Sequence, residues 1–113
     1  MKLSVLICTK NEEDFIELCL DHLIPHVDEI IIVDNGSTDR TKEIASKYDT
    51  VKIFDYPETI NMAEVRNFSL SKATGDWFLQ CDADEIYPAS EMRKIREFIE
   101  TADEKGYISA RVH

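Results

Sequence analysis

The chain has 113 residues, of which 43% are hydrophobic and 32% are charged, and its formal net charge is −10. This length suits a single domain with its own core, at residues 1–113. The acidic balance argues against nucleic acid as the main partner, because nucleic-acid binders concentrate Lys and Arg. No apolar run approaches the roughly 18 residues that a membrane-spanning helix needs.

The first half of the chain alternates strand and helix signals. An apolar, β-branched run predicts a strand at residues 3–9 that is covered on both faces. Asn11 is expected to cap the first helix, and Pro25 is expected to end it. The predicted inner face of that helix consists of Phe15, Leu18, Cys19 and Leu23. A second strand is expected at residues 30–33, a helix at about 41–48 and a third strand at 51–54.

The second half continues the alternation. Asn61 opens a third helix in capping-box style with Glu64. A fourth strand is expected at residues 77–81, after Gly75. Pro88 introduces a fourth helix, which is followed by a fifth strand at residues 107–112. Such alternation predicts an α/β fold, with a mostly parallel sheet, helices on both faces and right-handed crossovers.

Three of the predicted strands end in polar clusters, at residues 9–12, 34–37 and 82–85. In a parallel sheet these ends lie on one edge, outside which ligands bind. Asp82 and Asp84 place two carboxylates on alternate residues at one strand end. A divalent cation that carries phosphate is the natural partner of such a pair, because hard cations prefer carboxylate and phosphate oxygens.

Other phosphate-binding α/β folds fit less well. The dinucleotide fingerprint and the P-loop need glycines after the first strand, and the chain has only Gly36, Gly75 and Gly106. Haloacid-type phosphatases carry an acidic pair after the first strand, whereas here the pair follows the fourth. A phosphoacceptor receiver domain would place acids after the first and third strands, whereas here they follow the second and fourth.

The cysteines are Cys8, Cys19 and Cys81, an odd number with a spacing unlike that of a metal site. We expect buried free thiols, which indicate a reducing, cytoplasmic compartment.

Three motifs together resemble the family 2 glycosyltransferases, whose fold is called GT-A. They read LSVLICTKNE at residues 3–12, IIVDNGSTDRT at 31–41 and ATGDWFLQCDADE at 73–85. The resemblance covers essentially the whole chain and is strongest to members similar to lipopolysaccharide-core glucosyltransferases. It implies a nucleotide-diphospho-sugar transferase fold that is truncated on its C-terminal side.

The resemblance also implies roles for individual residues. Thr9, Asn11 and Glu12 match the loop that borders the base and ribose of the nucleotide. Asp34 matches the acid that hydrogen-bonds a uracil-type base, and Arg66 falls where a basic residue lies near the base or diphosphate.

The acidic pair receives its role in the same way. Asp82 matches the first acid of the D-x-D motif, near the ribose or metal, and Asp84 matches the acid that binds Mn²⁺ or Mg²⁺. The sequence leaves structural interpretations open for five of these residues: a turn acid at Asp34, a helix-dipole acid at Glu12, a surface partner of Glu64 or Asp76 at Arg66, and a solvated turn at Asp82 and Asp84.

The resemblance implies metal-dependent transfer of a sugar, with a UDP-sugar as the favoured donor. The acceptor would be a hydroxyl of a glycan or lipid-linked molecule of the cell envelope, and the transfer would invert the configuration at the sugar carbon. The catalytic base is expected beyond His113, so no catalytic residue is assigned within the chain. The expected location is the cytoplasm, and binding of the acceptor would bring the protein to the inner membrane surface. The alternative is a non-catalytic nucleotide-binding or assembly module, which could form a homo-oligomer through an exposed C-terminal strand.

Overall fold

The computed structural model describes residues 1–109 and contains five strands and four α-helices in strict alternation. Their bounds are β1 Leu3–Thr9, α1 Ile16–Leu23, β2 Glu29–Asp34, α2 Thr41–Ala45, β3 Val51–Asp55, α3 Met62–Lys72, β4 Trp77–Asp82, α4 Ala89–Glu100 and β5 Gly106–Ser109. A short 3₁₀ turn at Ile24–His26 follows α1. The predicted order of elements is thereby confirmed.

The strands form one parallel sheet in the order β3-β2-β1-β4-β5. The position of β1 at the centre explains why its residues are almost all buried, since it is covered on both faces and paired on both sides. The predicted parallel α/β architecture is therefore confirmed.

Helices cover both faces of the sheet, and alternate residues of β1 enter different cores. Val5 and Ile7 belong to the larger core, to which α1, α2 and α4 contribute. Leu6 belongs to a smaller core on the other face, with Val65 of α3. Val65 is fully buried, and burial of a side chain of this kind stabilises the fold by roughly 1.5–3 kcal/mol.

The first helix differs from its prediction in both start and orientation. It begins at Ile16 and buries Ile16, Cys19, Leu20 and Leu23, which recur at helical spacing. The predicted inward positions of Phe15 and Leu18 are wrong, because these side chains are 50% and 45% exposed. Ile16 and Leu20 lie on the side of α1 that meets the sheet, and their burial turns the neighbouring residues outward.

Three further boundaries can be compared with expectation. Asn61 caps α3, since its side-chain oxygen accepts the Glu64 N–H at 3.2 Å. The second helix is shorter than expected and ends at Ala45. The fifth strand is described from Gly106 to Ser109, and the rest of its predicted span, 110–112, lies outside the described residues. Within residues 1–109, no helix combines the length and apolar character needed to cross a bilayer.

Candidate functional site

The candidate site lies at the edge of the sheet where β2, β1 and β4 end. The strand registers pair Thr9 with Asp34 and Cys8 with Asp82, so the three polar clusters lie at nearly the same level. Because β2, β1 and β4 are adjacent in the sheet, residues far apart in sequence line one shared edge.

Asp34 is held rigidly at this edge. Its Oδ1 accepts hydrogen bonds from the Thr9 hydroxyl at 2.9 Å and from the Ser37 hydroxyl at 2.6 Å. Its Oδ2 accepts the Ser37 N–H at 2.9 Å. The residue is only 1% exposed. Neutral donors therefore fix this buried carboxylate in one orientation.

The loop after β1 is fastened to the loop after β2. Asn11 has a φ of 55°, the left-handed region, which Asn tolerates better than most residues. Its N–H donates to the Ser37 hydroxyl at 2.9 Å, and its side-chain oxygen accepts the Thr38 N–H at 2.8 Å. The prediction that Asn11 caps the first helix is therefore wrong, because its side chain joins the two loops instead.

Glu12 lies in the same loop, where its N–H donates to the Thr41 hydroxyl at 2.8 Å. Its pKa is raised, first by partial burial and then by the nearby carboxylates of Asp84 and Asp39. Acids in the loops after β2 and β4 thus raise the pKa of an acid in the loop after β1. This concentration of negative charge makes this edge of the sheet favourable for a cation.

The fourth strand ends in the group of acids that the sequence singles out. Single oxygens of Asp82, Asp84 and Glu85 all lie within 4.8 Å of one another. Asp82 and Asp84 are exposed and Glu85 is half-buried. Carboxylate oxygens at such separations are a donor set that suits Mg²⁺ or Mn²⁺, so the residues present fit a hard divalent cation.

A cleft of about 1000 Å³ opens beside these loops. It is lined by the end of β1, the loops after β1, β2 and β3, and the first residue of α3: Cys8, Thr9, Lys10, Glu12, Asn35, Glu58, Thr59, Ile60 and Met62. Asn35 fixes its far wall, since its side chain donates to the Thr59 carbonyl at 3.0 Å and accepts the Thr59 N–H at 3.2 Å. Lys10 and Glu58 form an ion pair within the lining.

Arg66 lies on α3, exposed to solvent. Burial raises the pKa of the Cys8 thiol, and the positive charge of Arg66 partly offsets that increase. Burial likewise raises the pKa of the Tyr107 hydroxyl, and the positive charge of Arg66 partly offsets that increase too. The charge of the guanidinium therefore acts on Cys8, near the end of β1, and on Tyr107, near the start of β5.

The structure thus brings Thr9, Asn11 and Asp34 into one hydrogen-bonded group. It also places Glu12 close enough to the acids after β4 for their negative charge to raise its pKa. Sequence reasoning did not assign Ser37, which bonds to Asp34 and Asn11, or Asn35, which bonds to Thr59. It also did not assign Tyr87, whose hydroxyl accepts the Asp82 N–H. A Ser three residues after an Asp is a common turn pattern and could have indicated Ser37. No comparable signal pointed to Tyr87.

Fold and site together define a parallel α/β domain that carries, at the carboxyl edge of its sheet, a cleft and a group of acids suited to a cation. The family described as glycosyl transferase family 2 matches residues 4–113. Since this match covers nearly the whole sequence, the chain belongs to that family.

Several curated relatives are described as glycosyltransferases. An uncharacterized glycosyltransferase of Mycoplasma pneumoniae is 30% identical over 115 residues, covering 91% of this chain and 38% of its own. One from Haemophilus influenzae is 30% identical over 107 residues, covering 88% and 33%. One from Rickettsia typhi is 38% identical over 84 residues, covering 74% and 28%. The chain thus spans well under half of the length of these relatives.

Solved structures show the same fold. Glucosyl-3-phosphoglycerate synthase from Mycobacterium tuberculosis, in complex with UDP, superposes with a TM-score of 0.75 at 26% identity, covering 90% of this chain and 41% of that one. The complex of that synthase with Mn²⁺, UDP and glucosyl-3-phosphoglycerate has a TM-score of 0.63 at 29% identity, covering 73% and 33%.

Proposed function

We propose that this chain is the donor-binding part of a glycosyltransferase that takes a sugar from a nucleoside-diphosphate sugar, with a UDP-sugar as the favoured donor. The observation that carries the proposal is the placing of a rigid Asp34 and the acids after β4 on one sheet edge, beside one cleft. UDP bound to the mycobacterial synthase of the same fold supports the choice of nucleotide.

The base and ribose would occupy the cleft. A carboxylate has about four acceptor positions, and the bonds from Thr9 and Ser37 use three of those on Asp34. One position is left for an N–H of a uracil-type base. Because Asp34 is almost completely buried, the base would approach edge-on between Thr9 and Asn35, which both line the cleft. Asn11 and Glu12 would border the ribose from the loop after β1.

The diphosphate would lie toward the end of β4. Asp84, with Asp82, would hold a divalent cation there, and Mn²⁺ is the ion found with UDP in the mycobacterial synthase. A bound divalent cation neutralises the charge that develops on a departing nucleoside diphosphate. Arg66 would add a second positive charge from α3, and the carboxylates of this chain would orient the donor and hold it in place.

The acceptor site and the catalytic base are proposed to lie outside residues 1–109. Inversion at the sugar carbon needs a base that removes the proton of an acceptor hydroxyl. Among residues 1–109 we assign none to this role, and we place the base in a C-terminal segment of the longer family architecture. A glycan or lipid-linked acceptor at the inner membrane surface remains the proposed second substrate.

A second candidate function is a nucleotide-binding or assembly module without turnover. Among the described strands, β5 forms an edge of the sheet, where another chain could pair.

Nucleotide selectivity tests the donor-site proposal. UDP and CDP are titrated into the wild-type chain and into Asp34→Asn by calorimetry, with Asp49→Asn as the control because Asp49 is an exposed acid distant in sequence from the site. Wild type and control should prefer UDP, and Asp34→Asn should lose about tenfold or more in UDP affinity. Equal affinity of the wild type for UDP and CDP would contradict the assigned role of Asp34.

Release of UDP from UDP-glucose separates the two candidate functions. The transferase interpretation predicts slow donor hydrolysis by the wild-type chain, at a rate lowered in Asp84→Asn. Tight UDP-glucose binding without any hydrolysis or transfer would favour the binding module.

A further inference from the structure

Tyr87 lies in the loop between β4 and α4, three residues beyond Asp84. Its neighbours Asp84 and Ile86 are exposed, whereas Tyr87 is only 1% exposed and belongs to the larger core. The ring therefore anchors an otherwise solvent-facing loop to the interior of the domain.

The Tyr87 hydroxyl is bonded to the residue at which the acidic group begins. It accepts the Asp82 N–H at 2.8 Å. On the other side of the same residue, the Asp82 carbonyl accepts the Glu85 N–H at 3.3 Å. The backbone of Asp82 is thus held through both its donor and its acceptor.

The hydroxyl is bonded to the amide of the last residue of β4, since that strand ends at Asp82. Its bond consequently sets the direction in which the chain leaves the sheet, and with it the positions of the side chains that follow.

We propose that Tyr87 is a positioning residue for the divalent-cation site, and that its hydroxyl holds the turn in which the Asp82, Asp84 and Glu85 carboxylates converge. This inference rests on the proposed cation role of those acids. Carboxylates this close repel one another, and a fixed backbone turn beneath them opposes their separation. Groups that orient metal-binding residues typically change metal affinity by about 10–100-fold when they are removed.

The test compares Tyr87→Phe with wild type and with Tyr48→Phe. Tyr48 is a matched control because its hydroxyl also makes one hydrogen bond, a 2.9 Å donation to Asp21, far from β4 in the sequence. Mn²⁺ binding is measured by electron paramagnetic resonance at saturating UDP, and UDP binding is measured separately by calorimetry without metal.

Tyr87→Phe should bind Mn²⁺ on the order of tenfold more weakly, with metal-free UDP affinity within about twofold of wild type. Tyr48→Phe should match wild type in both measurements. Unchanged Mn²⁺ affinity in Tyr87→Phe would overturn the inference, as would equal losses of Mn²⁺ and metal-free UDP binding, since those would indicate a general structural role.

Failure of the underlying function gives a different result. If wild type itself binds UDP but no Mn²⁺, the cation site is wrong, and the role of Tyr87 is overturned together with it. Should Tyr87→Phe fail to fold, wild type labelled with fluorotyrosine provides the second measurement. Mn²⁺ should then broaden the fluorine resonance of Tyr87 and leave that of Tyr48 sharp, and an unaffected Tyr87 resonance would overturn the inference.

Discussion

The Thr9 hydroxyl and the Asp34 carboxylate form a buried 2.9 Å hydrogen bond that links the ends of two adjacent strands. Because Thr9 and Asp34 also oppose each other in the strand register, the bond joins side chains whose backbones are already fixed by the sheet. One half of the candidate site is therefore built before any ligand arrives.

Thr9→Val tests the contribution of that bond. Valine keeps the shape of threonine but leaves a buried carboxylate with one donor fewer, which should lower the free energy of unfolding by about 1–3 kcal/mol. Thr9→Ser, which keeps the hydroxyl, should lose less. Urea unfolding of the three proteins measures the difference, and a Thr9→Val variant as stable as wild type would contradict the structural role of the bond.

Glu29 gives the protein a predictable response to acid. It is 3% exposed, and although burial alone would raise its pKa, hydrogen bonds from Thr74, Ser4 and Lys52 lower it from 4.5 to about 2. A lowered folded-state pKa contributes stability that is present above pH 4.5 and is lost as the pH falls toward 2. For a shift of this size the contribution is on the order of 3 kcal/mol.

Glu29→Gln should be less stable than wild type at pH 7, and the gap should narrow as the pH falls from 4.5 toward 2. The free energy of unfolding, measured at several pH values for both proteins, checks the prediction. A gap that stays constant over that range would show that the charge of Glu29 is not stabilising.

The three thiols should differ in reactivity. Cys8 is half-buried and lines the cleft, whereas Cys19 and Cys81 are buried. Burial, followed by the negative charge of nearby acids such as Asp84, raises the pKa of Cys19 to about 12. The pKa of Cys8 is also raised, so its alkylation should be slow at pH 7 and faster above pH 9.

Iodoacetamide labelling followed by mass spectrometry should therefore modify Cys8 first, and UDP should slow that reaction by filling the cleft. Faster labelling of Cys19 or Cys81 would contradict the burial pattern. Labelling of Cys8 at the same rate with and without saturating UDP would place the nucleotide elsewhere.

Glu58, which pairs with Lys10, puts a negative charge in the cleft that is proposed to hold the base and ribose of an anionic nucleotide. Glu58→Gln should increase UDP affinity about two- to fivefold, because it removes a repulsion and frees the Lys10 ammonium. Asp103→Asn, which removes an exposed charge after α4, is the control and should change little. The increase in UDP affinity should be smaller at high salt, because salt screens the charge of Glu58. Calorimetry at two salt concentrations measures this, and an unchanged UDP affinity in Glu58→Gln at low salt would contradict the prediction.

The parallel sheet could be predicted because each strand is an apolar run bounded by clear breaks. The predicted third strand, 51–54, differs by one residue from the observed Val51–Asp55. The edge on which the polar clusters meet followed from topology alone, since parallel strands all end on the same side.

The predictions that were wrong concern side chains whose positions depend on contacts distant in sequence. Phe15 and Leu18 are as well spaced for a helical face as Ile16 and Leu20, and only packing against the sheet selects the latter pair. Asn11 suits both a helix cap and a left-handed turn, and its bonds to the loop after β2 decide for the turn.

The central claim is that the acids after β4 bind a divalent cation that holds a nucleoside diphosphate, and the Mn²⁺ dependence of UDP affinity tests it most directly. Calorimetric titration of UDP with and without Mn²⁺ is carried out on wild type, Asp84→Asn and the control Asp49→Asn. Mn²⁺ should increase UDP affinity at least about tenfold in wild type and control, and have little effect in Asp84→Asn. An equal Mn²⁺ effect in all three proteins, or none in wild type, would contradict the account.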